Sequence, residues 1–277
     1  MSPSFLAKVR GDLKSAVIED CPDADITSEG SVRRDAMSKG IVVAKEGMTL
    51  AGIDIFCEVM RIIDRNTEIT RHFNDGQKVS AGKKIISISG RSRSILKGER
   101  VALNYMQRMC GIATVTSRFV HEVRGTKAKI LDTRKTTPNM RTLEKYAVRC
   151  GGGVNHRFSL SDVPLIKENH IAAAGGIMNA VRGIKRKNRT KVILEVTNKR
   201  EVIEGMEAGA EILLLDNMSP AQVKDMVRII GRKALVEVSG GVNLKNVRSY
   251  ARAGVDRISV GAITHSAPSA DLSLLFI

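Results

Sequence analysis

Residues 130–171, ILDTRKTTPNMRTLEKYAVRCGGGVNHRFSLSDVPLIKENHI, form the stretch that decides the fold of this chain. Its basic residues do not form a run, as they would in a solvated tail, but follow short apolar segments. Among these bases are Arg134, Lys135, Arg149, Arg157 and Lys167. Because a charge beside buried structure must be paired, this arrangement is typical of a pocket for a highly charged anion. The triple glycine at 151–153 is compatible with a simple turn or with a close approach of the backbone to a phosphate.

Around this stretch, after Gly125, short β-rich segments alternate with helical ones, which predicts a parallel sheet with connecting helices. The predicted strands are residues 128–132, 147–150, 164–167, 191–196, 211–216, 235–239 and 257–261. The predicted helices between them are residues 141–146, 176–187, 200–208, 220–230 and 244–253. This number of units favours a closed barrel over an open sheet, although the sequence leaves closure open.

The N-terminal part of the chain has the pattern of a mixed α+β module. Helical spacing covers residues 4–19 and 54–63, and the predicted strands are 40–44, 49–52, 68–73 and 83–89, with a loop at 20–28. The longest helical pattern, at 94–124, is interrupted by Gly111, so that one helix and two consecutive helices fit equally well. The apolar tail at 266–277 is expected to pack back on this module.

The composition narrows the classes of function. The chain has 277 residues, a formal net charge of +16, four cysteines and no tryptophan. Its aliphatic runs are too short to span a bilayer and its N-terminus lacks the order of a secretory signal, so we expect a cytoplasmic protein and no membrane partner. The cysteines show no C-x-x-C pair, which favours reduced, mostly buried thiols.

The positive charge predicts anionic partners, either nucleic acid or phosphorylated small molecules. Nucleic-acid binding is often accompanied by aromatic stacking platforms, and aromatic residues make up 3% of this chain. The densest basic cluster, RGIKRKNRTK at 182–191, is interpreted as an exposed, solvated helix end. We therefore expect small-molecule partners and no nucleic acid.

Charged or glycine-rich elements follow nearly every predicted strand of the second half. The C-terminal ends of parallel strands lie at one edge of a sheet, where α/β barrels place their active sites. These elements are residues 132–135, 151–157, 167–170, Glu195, 216–217, 239–241 and 261–262. Many cations, two separate carboxylates and two glycine-rich phosphate seats favour a ligand with several anionic groups plus Mg²⁺, such as a phosphorylated sugar pyrophosphate.

The cations of this set also have plainer interpretations. Arg134 and Lys135 could be solvated loop charges, although the Thr-Thr-Pro that follows them is a helix N-terminal signal that would point N–H groups at an anion. Lys167 follows an apolar strand and must be paired or bound to an anion, unless it is a Schiff-base nucleophile.

The histidines and carboxylates have similar alternatives. Histidines such as His156 and His170 are more often structural than catalytic. Glu195 and Asp216 follow aliphatic strands, where they could be salt-bridge partners of the local bases. They could equally bind ribose hydroxyls or a divalent metal, because carboxylates suit Mg²⁺.

Several long segments of the chain resemble one known family. The segments DTRKTTP, EKYAVRCGGGVNHR, LIKENHI, LLLDN, VSGGV and ISVGAITHSAP, with GERVALN at 98–104, resemble the nicotinate-nucleotide pyrophosphorylase (carboxylating) family, also called quinolinate phosphoribosyltransferase. The resemblance covers essentially the whole chain. One departure is Asn139, where the family often has glycine. Asparagine tolerates left-handed backbone, so we expect the turn to survive.

The resemblance implies an α/β fold, with an N-terminal α/β sandwich domain followed by an incomplete seven-stranded α/β barrel. The implied boundaries are residues 1–106 for the sandwich, 107–264 for the catalytic barrel and 265–277 for a segment that packs back on the N-terminal domain. It further implies a homodimer or higher homo-oligomer in which Arg100 reaches the neighbouring site. The implied enzyme joins quinolinate and 5-phosphoribosyl 1-pyrophosphate with Mg²⁺, giving nicotinate mononucleotide, pyrophosphate and CO₂ in NAD biosynthesis.

The resemblance also assigns roles to the residues that match the motifs. Lys135, Lys167, Glu195 and Asp216 are the implied catalytic residues. The implied substrate-binding residues are Arg100, Thr133, Arg134, Lys135, His156, Arg157, Lys167, Glu195, Asp216, Ser239, Gly240, Gly241, Val260, Gly261 and Ala262. Arg134, His156, Arg157 and Lys167 would hold the carboxylates of quinolinate, Glu195 and Asp216 the ribose and the metal, and residues 239–241 and 260–262 the 5-phosphate.

Three alternatives remain open from the sequence. Molybdenum-transport-associated relatives of the same fold share the DTRKT element but usually diverge around the lysine motif, so the intact NHR and LIKENH segments favour the transferase. A nucleic-acid-binding protein would show steeply salt-dependent binding. A barrel aldolase would form a Schiff base at Lys167 that borohydride traps.

Overall fold

The computed structural model describes residues 1–187 and 190–277, so part of the basic cluster predicted at 182–191 lies outside the described residues. The helices are α1 (Pro3–Asp20), α2 (Ile26–Ser31), α3 (Ile53–Ile63), α4 (Ser92–Glu122), α5 (Arg141–Cys150), α6 (Glu168–Ala174), α7 (Ile177–Lys187), α8 (Lys199–Ala208), α9 (Pro220–Ile230), α10 (Val247–Arg252) and α11 (Ala262–His265). The strands are β1 (Met37–Ala44), β2 (Met48–Thr49), β3 (Glu68–Arg71), β4 (Lys78–Val79), β5 (Lys84–Arg91), β6 (Lys129–Leu131), β7 (Leu165–Ile166), β8 (Ile193–Val196), β9 (Ile212–Asp216), β10 (Leu235–Ser239), β11 (Arg257–Ser259) and β12 (Leu272–Phe276).

The chain forms two compact units. Unit 1 comprises residues 1–115, 137–152 and 267–277, and unit 2 comprises residues 116–136 and 153–266. These ranges differ from the predicted boundaries mainly in α5, which was predicted in the barrel and lies in unit 1. Contacts within unit 1 explain this position, because the Tyr146 hydroxyl donates to Asp75 at 2.9 Å and Arg108 pairs with the buried Glu144 at 2.9 Å.

Unit 1 is built on a four-stranded antiparallel sheet with the order β12-β1-β5-β3. The strand β12 from the C-terminal tail pairs with β1, with Gly40 opposite Phe276. Alternate residues of β1 are buried, as expected for a strand with one covered face. Helix α1 buries Val9, Leu13 and Val17, one stripe at a spacing of four residues, and it contacts α3.

Most predictions for unit 1 are confirmed, and the exceptions have local causes. The helices predicted at 4–19 and 54–63 are α1 and α3, and 94–124 forms the single helix α4. Gly111 does not break α4, because it marks a close approach: a Cβ at this position would clash with the Pro268 carbonyl oxygen. The predicted loop at 20–28 is wrong at its end, where α2 begins. Asp25 caps α2 by accepting the Ser28 N–H at 3.0 Å.

Unit 2 contains a parallel six-stranded sheet with the order β6-β11-β10-β9-β8-β7, so the predicted α/β class is confirmed. The strand predicted at 147–150 is wrong, because these residues end α5. Leu143, Ala147 and Val148 are buried at the spacing of one helical face. An isolated parallel bridge between Leu131 and Val154 adds a further strand position beside β6.

The turn at Asn139 and the character of the helices agree with the sequence. Asn139 has a left-handed backbone with φ of 63°, which confirms that asparagine supports the turn expected after Pro138. Among the described residues, no helix combines the length and the apolar character that crossing a bilayer requires.

Candidate active site

A cavity of about 590 Å³ lies at the C-terminal ends of the parallel strands of unit 2. Its lining residues are Thr133, Arg134, Lys135, His156, Arg157, Leu165, Lys167, Glu195, Leu214, Asp216, Asn217, Glu237, Ser239, Gly240, Gly241, Ser259 and Gly261. The structure therefore brings together all the residues predicted for the site except Arg100, Val260 and Ala262. Arg100 is an exposed residue of α4 in unit 1.

The alternation of side chains along each strand determines which residues reach this cavity. Ile193, Ile212 and Leu214 form a buried apolar cluster on β8 and β9, against which Val163 and Leu165 pack. Side chains two positions apart share one face of a strand. The pairs that line the cavity in this way are Leu165 with Lys167, Leu214 with Asp216, Glu237 with Ser239, and Ser259 with Gly261. Lys167 and Asp216 thus lie two positions beyond Leu165 and Leu214 on the same faces of their strands.

Two of the residues predicted to seat the 5-phosphate, Val260 and Ala262, do not line the cavity. Val260 is 1% exposed and lies between Ser259 and Gly261, so its side chain leaves the sheet on the opposite face. Ala262 is the first residue of α11 and does not line the cavity. The lining of this part of the cavity is therefore made by the neighbours of these two residues.

Lys135 reaches the cavity from the loop that follows β6. Its backbone N–H donates to Thr133 Oγ1 at 3.0 Å, and its carbonyl oxygen accepts the Thr264 hydroxyl at 2.8 Å. A Cβ on Gly261 would lie 3.1 Å from Lys135 Cδ, so a side chain at this glycine would crowd the lysine. Gly261 thus keeps open the path by which Lys135 reaches the cavity.

Arg157 reaches the cavity from the segment after the triple glycine. The fully buried Asp132 fixes this segment by accepting the His156 N–H at 2.9 Å and the Asn155 amide at 2.5 Å. Arg157 donates to the Val163 carbonyl oxygen at 3.2 Å. Burial and the positive charge of Arg134 lower the pKa of Arg157 from its ordinary value, which leaves it a cation at neutral pH. Two like charges in a partly desolvated wall favour an anionic ligand.

Lys167 and Glu195 meet across neighbouring strands in this cavity. Lys167 Nζ lies 2.6 Å from Glu195 Oε2, so the ammonium form has an ion-pair partner. A Schiff-base nucleophile must be a neutral amine, and this pairing disfavours the aldolase alternative. The Lys167 N–H donates to His170 Nδ1 at 3.1 Å, which gives His170 a structural contact beside the same lysine.

Asp216 is oriented by two donors at the end of β9. The Ser239 hydroxyl donates to Oδ1 and the Asn217 amide to Oδ2, each at 2.6 Å. Asn217 has a left-handed backbone with φ of 53°, and Gly240 has φ of 88°. A Cβ on Gly240 would clash with the Asn217 side chain, so glycine is required here for both conformation and space.

The floor of the cavity contains residues that the sequence interpretation missed. Glu237 is fully buried, accepts the Ser259 hydroxyl at 2.6 Å and lies 3.1 Å from His156 Nε2. Burial acts to raise the pKa of Glu237, but the contacts with His156, Ser259 and Arg257 outweigh it and hold that pKa below its usual value. One signal was present in the sequence: Glu237 is a lone carboxylate in the aliphatic strand LVEVS, two positions before Ser239.

Glu195 and Asp216 are the residues that fit a divalent metal best. Within the described ranges, no group of three or more His, Cys, Asp or Glu residues could hold a metal ion alone. Mg²⁺ is commonly bound by one or two carboxylates together with substrate phosphates and waters. Two carboxylates that line one cavity from the adjacent strands β8 and β9 fit this mode, in which the substrate supplies the remaining oxygens.

Comparisons with known proteins identify the family of the chain. Two family models match, quinolinate phosphoribosyl transferase, N-terminal domain, over residues 25–110 and quinolinate phosphoribosyl transferase, C-terminal domain, over residues 112–275. A probable nicotinate-nucleotide pyrophosphorylase [carboxylating] of Bacillus subtilis is 38% identical, covering 93% of this chain and 89% of the relative. The nicotinate-nucleotide pyrophosphorylase [carboxylating] of Mycobacterium leprae is 37% identical, covering 96% of each chain.

Solved structures give the same result. The NadC structure from Streptococcus pyogenes is similar with a TM-score of 0.94 and 35% identity, covering 98% of each chain. The nicotinate-nucleotide pyrophosphorylase structure from Francisella tularensis has a TM-score of 0.92 and 39% identity, covering 100% of this chain and 98% of that one. Two family models that together match nearly the whole chain, and relatives above 30% identity over most of its length, show that the chain belongs to the quinolinate phosphoribosyl transferase family.

Proposed function

We propose that the chain transfers the phosphoribosyl group of 5-phosphoribosyl 1-pyrophosphate to quinolinate with decarboxylation, in a Mg²⁺-dependent step of NAD biosynthesis. The products would be nicotinate mononucleotide, pyrophosphate and CO₂. The observation that carries this proposal is one cavity lined by the cations Arg134, Lys135, Arg157 and Lys167 together with two carboxylates and two glycine-rich strand ends. Family membership supports the same reaction.

Quinolinate binding is the first step. Guanidinium groups bind carboxylates bidentately, so Arg134 and Arg157 suit the two carboxylates of a pyridine dicarboxylate. Lys167 would exchange its Glu195 partner for a substrate carboxylate. His156 was expected to bind a carboxylate directly. Both of its ring nitrogens contact protein groups, Glu237 and the Arg157 N–H, which favours an indirect role.

The transfer step breaks the bond between ribose C1 and pyrophosphate and forms a bond from the quinolinate ring nitrogen to that carbon. The ribose becomes oxocarbenium-like as pyrophosphate leaves, and the negative charges of Glu195 and Asp216 stabilise it from one side of the cavity. Bound Mg²⁺ would neutralise charge on the departing pyrophosphate. Lys135 is placed to hold substrate anions, and Ser239, Gly240 and Gly241 would seat the 5-phosphate.

Decarboxylation follows on the same ligand. The ring nitrogen, once bonded to ribose, carries a positive charge, and that charge stabilises the carbanion left when the adjacent carbon–carboxylate bond breaks. The carbanion then takes up one proton, which completes nicotinate mononucleotide. This sequence needs positioning and electrostatic stabilisation and uses no covalent intermediate with the protein.

The test is direct. Purified protein with quinolinate, 5-phosphoribosyl 1-pyrophosphate and Mg²⁺ should release labelled CO₂ from the ring-adjacent carboxylate and yield nicotinate mononucleotide in equal amount. Chelation of the metal should stop both products. Nicotinate should be a poor substitute because it lacks the second carboxylate. The absence of both products under these conditions would refute the proposed function.

We also propose that the working form is at least a homodimer in a cytoplasmic setting, with Arg100 serving the site of a neighbouring copy. A mixing experiment tests the shared site. Arg100→Ala and Lys167→Ala variants should each be inactive. Random re-association of the two should restore roughly a quarter of the wild-type activity, because half of the dimers then contain one intact site. No recovery after confirmed subunit exchange would contradict a shared site.

A further inference from the structure

Glu237 is a buried carboxylate that no step of the proposed reaction uses. Its side chain is fully buried in the middle of β10, where its neighbours along the strand, Val236 and Val238, are apolar. An isolated buried charge is costly unless it is paired and hydrogen-bonded. The partners of the Glu237 carboxylate therefore indicate its function in the cavity.

The two oxygens of Glu237 have different surroundings. Oε1 accepts the Ser259 hydroxyl at 2.6 Å and lies 3.1 Å from His156 Nε2. Oε2 lies 3.6 Å from an Arg257 nitrogen, and within the described part of the chain it has no hydrogen-bond partner. Oε1 is thus the oxygen on which two donors converge, and one of these donors is the histidine beside Arg157.

The contacts of His156 define its tautomer. The Arg157 N–H donates to His156 Nδ1 at 2.7 Å, so Nδ1 is the acceptor nitrogen of the ring. In a neutral imidazole the other nitrogen then carries the proton, which places Nε2–H toward Glu237. The His156 backbone N–H is held separately by Asp132 at 2.9 Å. The ring is therefore fixed from both sides, and the Arg157 backbone is fixed to the ring.

We propose that Glu237 is a positioning residue of the dicarboxylate side of the cavity: its Oε1 holds His156 in the Nε2–H tautomer, and His156 in turn holds Arg157 in place for a substrate carboxylate. The last clause rests on the proposed function, whereas the tautomer and its dependence on Glu237 do not. Glu237 touches no reacting atom in this scheme and acts through His156 alone.

Two substitutions separate a role of Glu237 as a hydrogen-bond acceptor from a role as a side chain that only fills space. In Glu237→Gln, the amide oxygen should take the place of Oε1, because the alternative orientation would point the NH₂ group at the Nε2–H of His156, donor against donor. The glutamine variant should therefore keep the ring state. Glu237→Leu fills similar space but offers no acceptor, so the ring would be held through Nδ1 alone; it should then lose its fixed orientation and, with the Arg157 contact, its preference for the Nε2–H form.

The ring state can be read without substrate. Long-range nitrogen–proton NMR on protein with ¹⁵N-labelled histidine separates protonated from unprotonated ring nitrogens, and a His156→Gln variant assigns the signal. At pH 7 we expect an Nε2–H ring in wild type and in Glu237→Gln, and a mixed or inverted tautomer in Glu237→Leu. A wild-type ring protonated at Nδ1, or a glutamine variant that behaves like the leucine variant, would overturn the proposal.

Kinetics test the second half of the proposal. Glu237→Leu should raise the KM for quinolinate about 10- to 100-fold, the range expected for losing a hydrogen bond that supports a charged group. The KM for 5-phosphoribosyl 1-pyrophosphate should change less than about 3-fold, since Glu237 Oε1 contacts His156 and Ser259 and not the predicted phosphate ligand Ser239, which donates to Asp216 instead. Glu237→Gln should stay within about 3-fold of wild type for both substrates.

Glu211→Gln is the matched control. Glu211 is also a hydrogen-bonded glutamate of unit 2, but it lies at the start of β9 and does not line the cavity. Its substitution should leave the His156 signal and both KM values unchanged. Thermal unfolding of every variant checks folding; should the leucine variant not fold, the wild-type and glutamine spectra still decide the tautomer. A folded leucine variant with unchanged quinolinate KM would overturn the positioning role even where the tautomer is as proposed.

Discussion

Two lysine–glutamate pairs lie at opposite ends of the parallel sheet in unit 2. Lys167 and Glu195 meet at 2.6 Å at the C-terminal ends of β7 and β8. Lys185 and Glu211 meet at 2.8 Å, where Lys185 comes from α7 and Glu211 directly precedes β9. The residue types and the distances are nearly the same, yet the surroundings of the two carboxylates differ.

The Lys185–Glu211 pair has a structural role in the sheet. Glu211 also accepts the Val192 N–H at 2.8 Å, so it ties the beginnings of two neighbouring strands to a helix. Burial acts to raise the pKa of Glu211, but Lys185 and the Val192 N–H outweigh it and the pKa is lowered. The first pair instead lines a cavity among further cations. The length of an ion pair thus says little about its role, and the other partners of the carboxylate say more.

The largest difference between the two pairs should appear on removal of the lysine. Lys167→Ala should lower kcat/KM for quinolinate by about 1000-fold, because a buried substrate carboxylate would lose its charged partner. Its free energy of unfolding should change by less than about 1 kcal/mol, since Lys167 is 50% exposed in the pair. Lys185→Ala is the matched control and should keep its activity within about 3-fold. Equal activity losses in the two variants would contradict the different roles assigned to the two pairs.

Neutralising the carboxylates should give the next largest difference. Glu195→Gln removes a negative charge beside the developing oxocarbenium, so kcat should fall about 100-fold. Glu211→Gln places the same substitution at the other end of the sheet and should leave kcat unchanged. Steady-state rates at saturating concentrations of both substrates provide the measurement. A glutamine at 195 with wild-type kcat would remove Glu195 from the proposed electrostatic role.

The smallest effect concerns stability and pH. Because the pKa of Glu211 is lowered on folding, its contribution to stability is present above its ordinary pKa of 4.5 and is lost as pH falls through the folded pKa. The wild type should therefore exceed Glu211→Gln in unfolding free energy at pH 7 by at most about 1 kcal/mol, as Glu211 is 39% exposed. Urea unfolding at pH 7 and at pH 3.5 should show this gap closing in acid. A gap that is constant across this range would contradict the assignment.

The sequence predicted the site better than it predicted the local structure around it. Cations and carboxylates after apolar strands are visible in sequence, and the rule that parallel strands end at one edge brings them together. The error at 147–150 arose because a short apolar run does not distinguish a strand from the end of a helix. Its long-range contacts, such as Tyr146 with Asp75, decide the matter and are invisible in sequence.

Two residues that line the cavity below the strand ends were missed for a different reason. Glu237 and Ser259 lie two positions before strand-end residues and share their face, but attention to strand ends alone passes over them. Val260 was named because it belongs to the segment that matches the family motif; alternation turns its side chain away from the cavity. Applying the two-residue period along each strand would have found Glu237 and Ser259 from the sequence.

The pairing of β12 with β1 has a consequence for how the protein is made. These two strands are far apart in the sequence, with the whole parallel sheet between them, yet they are neighbours in one sheet. A growing chain on the ribosome therefore leaves one edge of β1 without its partner until β12 emerges, by which point the strands of the parallel sheet, β6 to β11, have already emerged. Pairing across so long a segment is entropically slow. The sheet that is started first is thus completed after the parallel sheet, and until β12 pairs, the open edge of β1 is exposed to pairing with other strands.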